Sequence, residues 1–224
     1  MLDRAIRFGC ILAQPEFEGE GAILEVGSGS QGISVFLSDK VIGVDVAFAE
    51  APAKNLIAVK ASALHLPIKG RSFERVLCSD MMEHLTAQER PAAIQELLRV
   101  TKGHLFIACP CDEAARSADG RLMKLYRSLG IRPPDWLEDH LQKRIPDSQE
   151  IERPLEELKA RWKTVVGEST ASHFIVTLLI SNRWLNRFWE RIFGGQPGRA
   201  KSIARCRLLR GRRHYRKLWI VDNQ

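Results

Sequence analysis

Four acid- or histidine-bearing spots in this sequence combine residue types and spacings that could do chemistry: Glu25 ahead of a glycine cluster, Asp45, His84 and His140. Gly27, Ser28, Gly29 and Gly32 follow an apolar run from Ala22, giving the G-x-G-x-x-G spacing of a turn that brings bare backbone up to a nucleotide-type cofactor. A carboxylate at Glu25 would repel a pyrophosphate over that turn and attract a cation. Asp45 closes the apolar run Val41–Val46, where an acid accepts hydrogen bonds from ribose hydroxyls. A neutral imidazole at His84 or His140 can take a proton from a reacting hydroxyl, and Asp139 stands beside His140. The plainer reading of each histidine is structural, packing for His84 and a solvated helix position for His140.

These groups need a sheet to hold them in one place. Apolar runs predict strands at Ala22–Val26, Val41–Val46, Leu56–Lys60, Arg75–Ser79, Leu105–Cys109, Arg161–Glu168 and Arg216–Val221. Helical patterns fall at Leu2–Leu12 and Ser30–Ser38, and again from the capping-box sequence Thr86–Glu89 to Gly103; Pro91 argues for a start nearer Glu89. Strand and helix alternate, and ligands of open α/β sheets lie beyond the strands' carboxyl ends, where the glycine turn, Asp45 and the segment after Ser79 all fall.

Taken in order, ILEVGSGSQG, VIGVDV, ASALHLPIKGRSFERVLCSDMMEHL and LLRVTKGHLFIACP resemble the class I S-adenosylmethionine-dependent methyltransferases, in the bacterial type 11-like branch, over residues 22–110. The resemblance implies a Rossmann-like, mostly parallel seven-stranded sheet with helices on both faces, closed by an antiparallel pair. It implies S-adenosylmethionine as cofactor, whose ammonium and sulfonium suit Glu25. Gly27, Ser28, Gly29 and Gly32 would admit its backbone-hugging moiety, Asp45 would bind the ribose, and Val46 would cover the adenine. Ser62, Ala63 and Leu64 would edge that ring, while Ser79, Asp80 and Met81 would border the methyl group. Gln31 stands where the family usually has its third glycine, and Ser62 where it usually has an adenine-binding aspartate. WLEDHLQKRIPDSQEI also resembles a segment in a subset of bacterial enzymes of this class.

With 224 residues, 45% of them hydrophobic, the chain suffices for a single domain over 1–224 with two insertions: an acceptor lid at 111–157 and a helical basic appendage at 169–215. The charge is lopsided. Residues 169–224 hold 12 Lys or Arg against Glu190 and Asp222, a net of +10, which leaves −3 of the whole chain's +7 for the rest. Trp184, Leu185, Phe188, Trp189, Ile192 and Phe193 oppose Arg183, Arg187 and Arg191, so 183–217 reads as a helix packed on protein or as a peripheral contact with anionic membrane. Nucleic acid fits less well, for want of interleaved aromatics. The five cysteines read as reduced core thiols, no metal is expected, and no leader or spanning segment is visible, which suits a cytoplasmic location.

The expected reaction is methyl transfer to an oxygen or nitrogen of a small-molecule, glycan or lipid-linked acceptor. The alternatives are an RNA methyltransferase, a non-catalytic membrane-associated relative, and a nicotinamide-dependent oxidoreductase favoured by the literal glycine spacing.

Overall fold

The computed structural model describes residues 2–181 and 213–223. Seven strands form one sheet: β1 (Ile23–Val26), β2 (Val41–Asp45), β3 (Leu56–Lys60), β4 (Phe73–Ser79), β5 (Thr101–Pro110), β6 (Arg161–Val166) and β7 (Arg216–Asp222). Their order is β3-β2-β1-β4-β5-β7-β6. The first five run parallel, and β7 is antiparallel to both β5 and β6. The order turns back between β1 and β4, the place where crossovers leave a crevice at the carboxyl ends of the strands.

The central strands are apolar on both faces because each face is covered, and alternate residues enter two separate cores. Leu24, Val76, Cys78, Leu105, Ile107 and Trp219 face one core with Ile94 and Leu97 of α2 (Arg90–Val100) and Ile151 and Leu155 of α5 (Ser148–Glu157). Ile23, Leu77, Phe106, Leu218 and Ile220 face the other, with Phe8 and Ile11 of α1 (Leu2–Leu12) and with Ile33 and Phe36. The strands at the two edges, β3 and β6, carry far more exposed residues.

The helix expected over Ser30–Ser38 is a single 3-10 turn, Gly32–Phe36. Asn55 ties down the chain where it leaves the turn: its side-chain amide donates to the carbonyls of Ser34, Leu37 and Asp39. The expected boundary at Gly103 also moves. Thr101 Oγ1 donates to the Leu97 carbonyl at 2.6 Å and the chain passes straight into β5, with Gly103 inside the strand, where a Cβ would meet the Glu74 carbonyl oxygen at 2.5 Å. At the other end α2 begins at Arg90, which leaves Pro91 in the first turn, where its missing N–H costs nothing. Glu89 instead holds the preceding turn through the Thr86 N–H and hydroxyl.

The stretch 111–157 is three helices: α3 (Asp112–Ser128), α4 (Asp135–Lys143) and α5. Beyond β6, α6 covers Thr170–Ser181. The amphipathic stretch 184–193, the basic run to residue 212 and Cys206 lie outside the described residues. Among those described, the cysteines are buried free thiols, and no helix is long and apolar enough to cross a membrane.

Candidate active site

A cavity of about 810 Å³ opens at the carboxyl ends of β1, β2 and β4. Of the cofactor residues expected from sequence, Gly27, Ser28, Gly29, Gly32, Asp45, Val46, Ser62, Ala63, Leu64, Asp80 and Met81 line it. Asp45 Oδ2 accepts from the Gly29 N–H at 2.8 Å and Oδ1 from the Ala47 N–H at 3.3 Å, so the carboxylate ties the glycine turn to the end of β2. Val46 is 63% exposed on the wall, an apolar surface of the sort an aromatic ring covers. Ser62 folds back on its own loop, its hydroxyl accepting from the Leu64 N–H at 3.2 Å.

Glu25 and Ser79 do not reach this wall. Glu25 is fully buried beneath the turn, where its Oε2 accepts from the Ile33 N–H at 2.7 Å and its Oε1 has no hydrogen-bond partner. Burial pushes its carboxyl up to about 8, against the pull of the Ile33 N–H and Arg7. Gly32 lies directly over it. A Cβ there would sit 2.0 Å from Oε2, so the residue following Gln31 has to be glycine for the acid to fit. Glu25 therefore serves the turn from behind rather than facing the cavity. Ser79 is buried at the end of β4 with its hydroxyl unpartnered.

Two cationic supports were not singled out from the sequence. From α1, Arg4 pairs with Gln31 and Arg7 lies 3.5 Å from Asp80, so this helix latches both lips of the cavity. From β7, buried Arg216 grips Asp80 with a fork, Nε to Oδ1 at 2.8 Å and Nη2 to Oδ2 at 2.6 Å, and gives its third donor to Glu168 at 2.6 Å. Burial alone would raise the Asp80 carboxyl; Arg216 and Arg7 outweigh it and hold the group below its ordinary range. Asp80 also has a φ of +52°, a left-handed conformation that the ion network holds in place.

The histidines meet at a second cavity, about 210 Å³, whose lining shares Arg7, Asp80 and His84 with the first. His84 sits on a 3-10 turn, Met82–His84, and bonds Asp139 of α4 through Nδ1. His140 is not a solvated helix residue. It is 7% exposed, and its Nδ1 lies 2.9 Å from Asp119 of α3 rather than beside Asp139. Asp119 is fully buried and also accepts from the Tyr215 hydroxyl at 3.0 Å. The ring of Tyr215 stacks on His173 with centroids 3.5 Å apart. Burial would lower His173; Asp119 and Glu168 overcome it and push the imidazole up to about 9.

An open, mostly parallel sheet, a glycine turn after β1, an acid closing β2 and a cavity at the switch point define a nucleoside-cofactor α/β protein. Residues 24–107, from β1 into β5, match the family model described as Methyltransferase domain, over the same stretch that carries the sequence resemblance. Solved structures agree on the fold. A protein of Pyrococcus horikoshii superposes with a TM-score of 0.59 at 14% identity, over 100% of this chain and 91% of its own. An S-adenosylmethionine-dependent methyltransferase of Archaeoglobus fulgidus gives 0.57 at 18%, over 99% and 93%. A methyltransferase of Thermotoga maritima, described as a possible histamine N-methyltransferase, gives 0.52 at 15%, over 98% and 91%. No curated protein matches the sequence.

Proposed function

We propose that this chain transfers the methyl group of S-adenosylmethionine to an oxygen or nitrogen of a small-molecule, glycan or lipid-linked acceptor. The observation that carries this reading is convergence: eleven of the thirteen residues at which the methyltransferase resemblance expects cofactor contacts, all but Glu25 and Ser79, come from four separate loops and line one cavity of suitable size. The residues fit the group. Asp45 is placed for the ribose hydroxyls, Val46 and the 62–64 loop offer an apolar wall for adenine, and nothing lies within 4 Å of the Cβ that Gly29 lacks, so that side of the turn is open to a ligand.

The sulfonium supplies an electrophilic methyl when the cofactor is bound. What the protein then contributes is alignment, with Met81 on the wall of the first cavity and Asp80, just past β4, on the passage from the first cavity to the second. His84 lies on that same passage and is the imidazole best placed to meet an acceptor. Titration calorimetry with S-adenosylhomocysteine tests the reading. Binding with one-to-one stoichiometry supports it; binding of the nicotinamide dinucleotide in its place would overturn it.

A further inference from the structure

We propose that Glu83, His84 and His140 bind one divalent first-row metal ion, Zn²⁺ by preference, at the junction of the two cavities, where the ion takes the nucleophilic oxygen of the methyl acceptor as a further ligand. One carboxylate and two imidazoles bring their donor atoms within 4.8 Å of one another. Within the cluster, His140 Nε2 lies 3.9 Å from Glu83 Oε1. Metal–ligand bonds of about 2.0–2.2 Å need donors roughly 3–3.5 Å apart, a contraction that side-chain rotation of about 1 Å supplies.

Two further features single out this cluster. Glu83 is 1% exposed, yet neither of its carboxylate oxygens has a hydrogen-bond partner among the described residues. A buried, unsatisfied carboxylate costs free energy that coordination would recover. The histidines are prepared in the same way: each gives Nδ1 to a carboxylate, Asp139 for His84 and Asp119 for His140, which leaves Nε2 available as a ligand on both. Carboxylate–imidazole pairs of this kind fix the tautomer and orientation of metal-binding histidines. Asp80 is not a competitor for the ion, because Arg216 and Arg7 already neutralise it.

A two-histidine, one-carboxylate set leaves coordination positions open, and such an open metal acts as a Lewis acid. An acceptor hydroxyl bound there loses its proton to water more readily. Its oxygen lone pair then forms the O–CH₃ bond as the S–CH₃ bond breaks, and that bonding pair returns to sulfur as a neutral thioether. The acceptor class follows: a hydroxylated small molecule or glycan able to reach an ion beside His84, where the 210 Å³ cavity meets the first. This acceptor half rests on the methyl-transfer reading; the metal site itself does not.

The full chain, stripped with chelator, is titrated with Zn²⁺ against a chromophoric competitor, with Mn²⁺ and Mg²⁺ in parallel and Co²⁺ for its ligand-field spectrum. One equivalent of Zn²⁺, held more tightly than Mn²⁺ and far more tightly than Mg²⁺, is expected, with a tetrahedral or five-coordinate Co²⁺ spectrum. Glu83→Gln and His140→Gln should abolish that binding, and Asp119→Asn should weaken it about 10- to 100-fold. Retained stabilisation by S-adenosylhomocysteine shows that each variant is folded. No binding to the wild-type chain, or an affinity unchanged in a Glu83→Gln/His84→Asn double variant, overturns the site. S-adenosylhomocysteine binding without Zn²⁺ binding sinks this inference alone, whereas Zn²⁺ binding without S-adenosylhomocysteine binding sinks the methyl-transfer reading and leaves the site standing.

Discussion

Two glycines of the same turn should respond very differently to the same substitution. Gly29 and Gly32 both adopt left-handed backbone, at φ of +53° and +51°, so alanine at either costs about 1 kcal/mol of backbone strain. At Gly29 the added methyl meets nothing within 4 Å. At Gly32 it meets Glu25, 2.0 Å from Oε2 and 2.7 Å from Cδ, and that carboxyl is buried within the sheet with no path to solvent. The acid must swing away and give up the Ile33 N–H, whose loss adds roughly 1.5–3 kcal/mol. Gly32→Ala should therefore lose about 2.5–4 kcal/mol and Gly29→Ala about 1 kcal/mol, separate urea midpoints with equal slopes. For a chain of this length the larger loss corresponds to a fall in Tm of roughly 5–16 °C. The same methyl should cost little more than the strain in a Glu25→Ala background, since the obstacle is gone; this double-mutant cycle isolates the contact. Equal losses at the two glycines, or no coupling to Glu25, would refute the account of the turn. Gly29→Ala should instead show its effect as weakened S-adenosylhomocysteine binding, because its methyl points into open cavity.

Three other measurements bear on the remaining supports. Folded Glu25 titrates near pH 8 against about 4.5 in the unfolded chain, so the folded state keeps a proton the unfolded state releases; the resulting stability is complete below pH 4.5 and fades as pH rises to about 8. Urea midpoints should decline across that window, and Glu25→Gln should flatten the decline; an unchanged slope would refute the burial argument. Asp45→Ala should weaken S-adenosylhomocysteine at least about 30-fold by calorimetry, about 2 kcal/mol for lost charge-assisted bonds to ribose, with the fold intact by circular dichroism. Arg216→Met strands Asp80 and Glu168 in the interior and should cost about 3–5 kcal/mol in chemical denaturation, a loss under 1 kcal/mol counting against the ion network.

The sheet was legible because its evidence is local. Central strands such as Ile23–Val26 and Phe73–Ser79 are largely apolar runs bounded by turn residues, and burial on both faces only reinforces that pattern. The turn after β1 was legible as a turn, but not as a 3-10 segment, since the residue that ties down its exit, Asn55, lies more than 15 residues away and draws three carbonyls onto one amide. Glu25 was assigned by charge complementarity with a ligand, whereas its surroundings are set by Gly32 and Ile33. The position of Gln31, one place out of the usual glycine spacing, was the visible trace of that rearrangement. His140 shows the same limit: its sequence neighbour Asp139 points to His84, while its partner Asp119 lies on another helix.

The contrast between the two cavities follows from how they are built. The first is framed by loops at the ends of consecutive parallel strands, so short motifs along the chain determine it and sequence alone finds its walls. The second is framed by pairings across long sequence separations: Asp80 with Arg216, Asp119 with His140 and Tyr215, His84 with Asp139. In each pairing the partners come from different elements, so no short motif announces the group. A strained, left-handed Asp80 stands at the boundary and is gripped from α1 and β7 at once. Moving that carboxylate would alter both chambers together, which couples cofactor seating to the shape of the acceptor end. Arg216→Lys, which keeps the charge but loses the planar fork, should therefore disturb S-adenosylhomocysteine affinity and Zn²⁺ affinity in the same variant; a change in one with the other untouched would show that Asp80 does not link them.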